Sequence, residues 1–546
     1  MTAARAIGTA LAGMGVRHVF GVVGSGNFHV TNALVSRGAR FVAARHECGA
    51  ACMADAWARG TGRVGILTVH QGPGLTNALT GITEAAKSRT PLLVLAPDVA
   101  SAAVRSNFRI DVAALATSVG AVADRLHSPG TAAADTARAY RTAQRERRTV
   151  VLAMPLDVQA ARCDPPVLPP LPPLHPPAPA PAAAAVLTEA LASAERPVFV
   201  AGRGARVAGA RHVLERLADA SGALLATSAV AKGLFHGNPW DLGVSGGFAS
   251  PLAAELISGA DLVVGWGCSL NMWTMRHGKL IGPGARVMQV DDDSAAIGAH
   301  RPLDSGVLGD VAETARVVLA GLAGRALPGY RSPELRARIA REVRWRDVPY
   351  TDEGGGGRID PRTLTIALDD LLPAERVVAV DSGNFMGYPS MFLSVPDENG
   401  FCFTQAYQSV GLGLASAIGA ALAQPGRLPV AALGDGGALM GVSELETVVR
   451  LGLPMVIVIY DDEAYGAEVH HFGPDGFGLD TVRFPPADIA AIGRGFGCAG
   501  VTVREPGDLA PVRDWLDGPR DRPLVIDAKV ASARGSWWLE EAFRGH

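Results

Sequence analysis

Cysteine is scarce in this chain. Six thiols (Cys48, Cys52, Cys163, Cys268, Cys402 and Cys498) are spread over 546 residues without a Cys-x-x-Cys pair. That excludes a zinc ribbon and a disulfide framework and fits a reducing, cytoplasmic setting. Charge is sparse too: Asp, Glu, Lys and Arg make up 19% of the chain and almost cancel, to −3. A nucleic-acid partner, which needs a basic footprint, is therefore not expected. No apolar run reaches the roughly 18 residues of a membrane-spanning helix, so no membrane partner is expected. The first residues, Met1 to Val16, lack the long apolar centre of a secretion signal and read as an amphipathic helix.

What is abundant is small and apolar: 48% hydrophobic residues and 65 glycines, the composition of a well-buried α/β protein. Apolar runs of four to seven residues recur, each followed by a glycine-rich turn and a helix-like stretch. Examples start at Val19, Phe41, Val64, Pro91, Pro197, Leu262, Val377, Leu428 and Pro454. This pattern predicts three doubly wound parallel-sheet domains, with ligands beyond the carboxyl ends of the strands. The expected division is 1–164, a proline-rich linker 165–181 with ten prolines, a Rossmann-like domain 182–325, a linker 326–357, and 358–546 with a C-terminal tail.

Two stretches carry chemistry. Gly434-Asp435-Gly436-Gly437 closes the run from Leu428, and Asp461-Asp462 follows the next one, with 24 residues between Gly436 and Asp461. An aspartate among glycines lets backbone amides approach a diphosphate while the carboxylate holds a divalent cation. The interval allows one crossover helix, Gly441 to Leu451, and one strand, so both loops would meet at one sheet edge. Earlier, Glu47 follows Arg45-His46 at a strand-to-helix junction, where a carboxylate ordinarily caps the helix. The loop His70-Gln71-Gly72-Pro73-Gly74-Leu75-Thr76-Asn77 would share its sheet edge.

The order Arg-His-Glu, Gly-Pro-Gly-x-x-Asn, Gly-Asp-Gly resembles the acetolactate synthase and 2-keto-acid decarboxylase (benzoylformate decarboxylase-like) family of thiamine diphosphate enzymes, over nearly the whole chain. The resemblance implies three domains, one binding the pyrimidine, a Rossmann-like middle one, and one binding the diphosphate. It also implies thiamine diphosphate with magnesium as cofactors and a homodimer or homotetramer. Glu47 would contact the aminopyrimidine, with Pro73 and Asn77 beside it. Asp435, Asp462 and the carbonyl of Ala464 would hold the metal. Asn384, Phe385, Gln408, Gly434, Gly436, Gly437, Tyr465 and Gly466 would contact the cofactor, and Val410 would wedge it into its bent shape. His70, Gln71, Arg109 and His471 are the further catalytic candidates, with Ser25, Glu468 and His470 near them.

The implied activity is an acetolactate synthase-like carboligase that decarboxylates a 2-keto acid and joins the remaining acyl unit to a second carbonyl. The alternatives are a non-ligating decarboxylase or 2-hydroxyacyl lyase, and a catalytically silent scaffold. Departures from the synthase pattern include Gly267-Cys268-Ser269-Leu270-Asn271-Met272-Trp273, which lacks both arginines of that segment. Phe385 stands in place of a histidine, Asp462 in place of an asparagine, and the tryptophan expected near His471 is absent. In synthases the middle domain binds FAD, with matching places at Gly202-Arg203-Gly204, Ala231-Lys232-Gly233, Gly243 to Gly247 and Asp291. A glycine turn with a later acid is a weak signal, and FAD is not favoured. The tail from Ala531, with Trp537-Trp538, would fold over the site entrance.

Overall fold

The computed structural model describes residues 1–167, 172–325, 327 and 329–539. Residues 168–171 of the proline-rich stretch, 326 and 328 of the expected linker, and 540–546 of the tail lie outside the described residues. The chain forms three six-stranded sheets, parallel throughout and flanked by helices. The first contains β1 (His18–Gly21), β2 (Arg40–Ala43), β3 (Gly65–Thr68), β4 (Leu92–Asp98), β5 (Val122–Arg125) and β6 (Thr149–Pro155), in the order β2-β1-β3-β4-β6-β5. The second contains β7 (Pro197–Ala201), β8 (Leu224–Thr227), β9 (Asp241–Val244), β10 (Leu262–Trp266), β11 (Arg286–Asp291) and β12 (Ser305–Leu308), in the order β12-β11-β10-β7-β8-β9. The third contains β13 (Arg376–Val380), β14 (Phe401–Phe403), β15 (Leu428–Gly434), β16 (Val456–Asp461), β17 (Ala499–Val503) and β18 (Leu524–Lys529). Its order, β14-β13-β15-β16-β18-β17, repeats that of the first sheet. Central strands are apolar on both faces because helices cover both.

Two expectations need correction. The crossover between β15 and β16 is not one helix from Gly441 to Leu451 but two short ones, Asp435–Met440 and Glu444–Arg450. Gly441 separates them, and glycine is a poor helix former. The segment 326–357 is not merely a linker: it contains the helix Pro333–Glu342, whose Leu335, Ile339 and following Val343, at four-residue spacing, pack on the middle domain. The proline-rich stretch ends by opening a helix at Pro181, where a missing N–H costs nothing.

The first and third domains share one hydrophobic core. The helix Glu47–Thr61 crosses the helix Gly413–Ala423, both built mainly of small residues. A Cβ on Gly419 would lie 2.2 Å from the backbone oxygen of Met53, and one on Gly60 2.8 Å from Cβ of Ala423. The glycines therefore permit the close approach. Beside them, the largely buried Arg59, its side chain 12% exposed, contacts Asp55 at 2.7 Å, Glu84 at 2.8 Å and the carbonyl of Phe403 at 3.0 Å. Glu84 in turn accepts the amides of Ala406 and Tyr407 at 3.3 and 2.7 Å, tying down the loop that leads to Gln408 and Val410. Arg59→Met should destabilise the protein by about 3–5 kcal/mol, because two buried carboxylates lose their cation. Urea unfolding of the variant beside wild type measures it.

Candidate active site

In an open parallel sheet, the crevice for a ligand forms where strand order reverses. In the third sheet that point lies between β13 and β15, and the chain places there Asp381 to Phe385 on one side and Gly434 to Gly437 on the other. A cleft of about 230 Å³ opens at this edge. It is lined by Asn384, Phe385, Gln408, Val410, Gly434, Asp435, Gly436, Gly437, Asp462, Ala464, Tyr465 and Gly466, together with Trp273, Met386, Glu468 and Leu539. The β15–β16 register, Gly434 opposite Tyr460, brings Asp435 and Asp462 to the same edge as expected.

The two acids face each other in a poor solvent for charge. Burial, and then the charges of Asp462 and Asp461, push the Asp435 carboxyl up to about 8. Burial raises Asp462 to about 6, opposed by a hydrogen bond from Asn384 and one from the Ala464 amide. Among the described residues no three acid, histidine or cysteine side chains converge as a self-sufficient metal site. Two carboxylates crowded at a cleft fit a hard cation whose remaining ligands come from backbone and bound diphosphate oxygens.

The glycines are required sterically. A Cβ on Gly436 would lie 2.8 Å from the Tyr465 ring, and one on Gly437 2.4 Å from Oδ2 of Asp381. Asp381 is buried beneath the cleft and accepts the amides of Gly411 and Leu412, holding the Gln408–Val410 loop. Val410 is 39% exposed and reaches into the cleft. Phe385 is buried and stacks on Tyr460 at 5.3 Å, forming the floor under Gly434.

The first sheet reverses between β1 and β3, and the other candidates gather there. Glu47 opens its helix, with His46 as the cap, and accepts a hydrogen bond from Nδ2 of Asn77 at 3.1 Å. Gly72 adopts φ +66°, ψ −105°, and a Cβ there would lie 2.8 Å from the Phe108 carbonyl. Only glycine makes this turn, which sets Pro73 as the first residue of the next helix. His70 Nδ1 accepts the amide of Gly26 at 3.2 Å, and the ring meets Phe108 edge-on. This bond leaves Nε2 to carry the hydrogen in the neutral ring. Gln71 is buried against Gly26, with Oε1 lacking a hydrogen-bond partner. Arg109 is exposed in the turn that covers Gly72.

These two halves do not meet within one chain: among the described residues, nothing from the first domain lines the third-domain cleft. Of the three polar residues on the helix Gly466–Phe472, Glu468 lines the cleft. His470 lies under Gly535 with Nε2 buried, and the His471 ring packs edge-on against Phe472. Of the pair Asp461-Asp462, Asp461 turns away from the cleft into a contact with Lys529. That cross-strand partner was invisible to motif spacing. The tail docks at the cleft mouth: Ser536 Oγ contacts the Asn384 carbonyl and its Oδ1, Trp538 packs on Tyr388, and Leu539 enters the lining.

In the middle domain the places matched to FAD binding border two cavities: Gly204 and Gly267 one of about 230 Å³, and Lys232, Gly233 and Gly243 one of about 790 Å³. Gly202 and Gly204 abut Gly267 and Cys268. Lys232 donates to the carbonyls of Ser390 and Leu393, and Asp291 Oδ1 accepts the amide of Asp293 at 3.0 Å.

Comparison with known proteins follows the same division. Residues 1–115 match the thiamine pyrophosphate enzyme N-terminal TPP-binding domain, 184–318 the central domain, and 381–528 the C-terminal TPP-binding domain. A probable 2-ketoarginine decarboxylase of Pseudomonas aeruginosa is 30% identical, covering 98% of this chain and 95% of its own. A sulfoacetaldehyde acetyltransferase of Castellaniella defragrans is 28% identical over 94% and 90%. The acetolactate synthase large subunit of Parasynechococcus marenigrum is 27% identical over 97% and 88%. With three domain families in order and relatives matched along their length, the chain belongs to the thiamine pyrophosphate enzyme family.

Proposed function

We propose that this enzyme uses thiamine diphosphate and magnesium to decarboxylate a 2-keto acid and join the remaining acyl unit to a second carbonyl. The observation that carries the ligating reading is the wall facing the cleft acids, where Trp273, Met386, Val410 and Leu539 make an apolar surface. Such a wall favours an organic acceptor over water. Bound thiamine diphosphate supplies the carbon nucleophile and electron sink.

The chain's own groups have distinct tasks in this reading. Asp435, Asp462 and the Ala464 carbonyl hold the cation, and the Gly436 and Gly437 backbone receives the diphosphate. Glu47, oriented by Asn77, holds a proton at the aminopyrimidine. His70 presents Nε2–H to the reacting side, Gln71 lies buried beside it against Gly26, and exposed Arg109 receives the substrate carboxylate. His471 stands behind Glu468 on the same helix.

A complete site needs the first domain of a second copy, so the working unit is a homodimer or a dimer of dimers. The exposed apolar rim of Tyr407, Val410, Leu439, Met440 and Tyr465 on the third domain supports this. Six free thiols support a reducing, cytoplasmic location. Among the described residues no helix is long and apolar enough to cross a membrane.

A specific observation favours a second reading, simple decarboxylation: Glu468 puts a carboxyl in the cleft, where it can deliver a proton in place of an acceptor carbonyl. Mass spectrometry of products from a panel of 2-keto acids, with and without added aldehyde, separates the two. Ligated products are expected. Aldehyde alone, carrying solvent deuterium, would establish the second reading.

A further inference from the structure

Lys529 is 4% exposed at the end of β18, directly opposite Asp461 in the parallel register with β16. Its ammonium contacts Asp461 Oδ2, lies 3.2 Å from Asp527 Oδ2, and donates to the Ala487 carbonyl at 2.8 Å. All three donors are thus spent inside the protein. Asp461 is 1% exposed, and its second oxygen, Oδ1, accepts the amide of Glu463 at 3.0 Å. Glu463 has φ +57°, a left-handed conformation that a non-glycine residue keeps only when its surroundings hold it. The hold is visible: Phe484 donates to its carbonyl at 2.8 Å, Arg358 contacts its carboxylate at 2.6 Å, and Asp461 fixes its amide. This forced turn carries Asp462 and Ala464 into the cleft opposite Asp435.

We infer that Lys529 is a positioning residue for the metal loop, acting through Asp461. Two adjacent acids close to Asp435 and to an anionic diphosphate would both be drawn to the cation. Lys529 removes one from that competition by neutralising it and turning it inward. The carboxylate so held becomes the anchor of the Glu463 turn, and Asp462 alone presents to the metal. The inference rests on the metal assignment proposed above.

The test reads metal binding rather than turnover. Wild type, Lys529→Met and the double variant Asp461→Asn, Lys529→Met are titrated with Mn²⁺ in the presence of thiamine diphosphate, and free Mn²⁺ is followed by electron paramagnetic resonance. Lys529→Met should weaken Mn²⁺ binding by about 10-fold or more, the size expected when a ligand's support is lost. In the double variant the uncharged asparagine side chain still offers Oδ1 to the Glu463 amide, and binding should return to within about threefold of wild type, a non-additive outcome that marks direct coupling. Binding by Lys529→Met within about twofold of wild type, below the smallest support effect, would leave Lys529 a packing role only and overturn the inference. If Lys529→Met fails to fold, the double variant decides alone: folded and binding supports the inference, folded without binding overturns it. A wild type that binds no Mn²⁺ removes the metal site itself, a distinguishable failure.

Discussion

Glu47→Gln should abolish nearly all turnover while leaving the protein folded and able to retain cofactor. The glutamine keeps the size of the carboxyl and can still pair with Asn77, whose Nδ2 now lies 3.1 Å from Glu47. What it loses is an exchangeable carboxyl proton. A positioned acid or base is worth about 10²–10⁴-fold, so kcat should fall by that factor with little change in melting temperature. Circular dichroism following the aminopyrimidine of the bound cofactor adds a readout independent of substrate. A variant with wild-type kcat would reduce Glu47 to a first-turn helix residue paired with Asn77 and remove the pyrimidine half of the proposed site.

Asp435→Asn should have two effects of opposite sign. In metal-free protein the Asp435 carboxyl keeps its proton up to about pH 8, mainly because burial disfavours the charge and then because Asp462 and Asp461 repel it. Its folded pKa therefore lies above its unfolded value, and the unfolded state binds fewer protons between about pH 4 and 8. This group makes metal-free protein less stable as pH rises through that window. Asparagine removes the liability, so the variant's melting temperature should exceed that of metal-free wild type at pH 8, and the gap should shrink toward pH 5. Cofactor retention moves the other way. Without the carboxylate, magnesium-dependent binding of thiamine diphosphate should weaken by about 10²-fold or more. In wild type the cation must displace the Asp435 proton, so binding should tighten by up to about tenfold per pH unit as pH approaches 8 and level off above it. Calorimetry across pH 5–9, with and without magnesium, reads both effects. Unchanged cofactor affinity in Asp435→Asn would place the cation elsewhere.

The motif order sufficed to bring Glu47 to one sheet edge and Asp435 with Asp462 to another, because glycine turns at strand ends have few alternatives. Central strands such as β4 and β15 are legible as apolar runs since both their faces are buried. Strands β5, β9, β12, β14 and β17 leave weaker traces, and each lies at a sheet edge, where one partner is missing and side chains such as Arg125 and Leu308 meet solvent. Strand β18 is the exception: it is interior, and its Leu524-Val525-Ile526 run is apolar. The direction of Asp461 was not legible, because it depends on the pairing of β16 with β18 across 68 positions. Nor was the Glu84 tether of the Val410 loop, which joins residues more than 300 apart. Such contacts follow from topology, and local pattern does not contain them.

The repeated strand order of the first and third sheets bears on how the two domains depend on each other. Two domains of one strand order sit at opposite ends of the polypeptide, each offering the same edge to the proposed site, and they adhere through helix packing and the Arg59 cluster rather than through the intervening backbone. The middle domain intervenes between them in sequence, yet the joint between the two outer domains does not run through it. In the proposed site, a substitution at either ligand edge is answerable to a counterpart edge that, among the described residues, does not line the same cleft in its own chain.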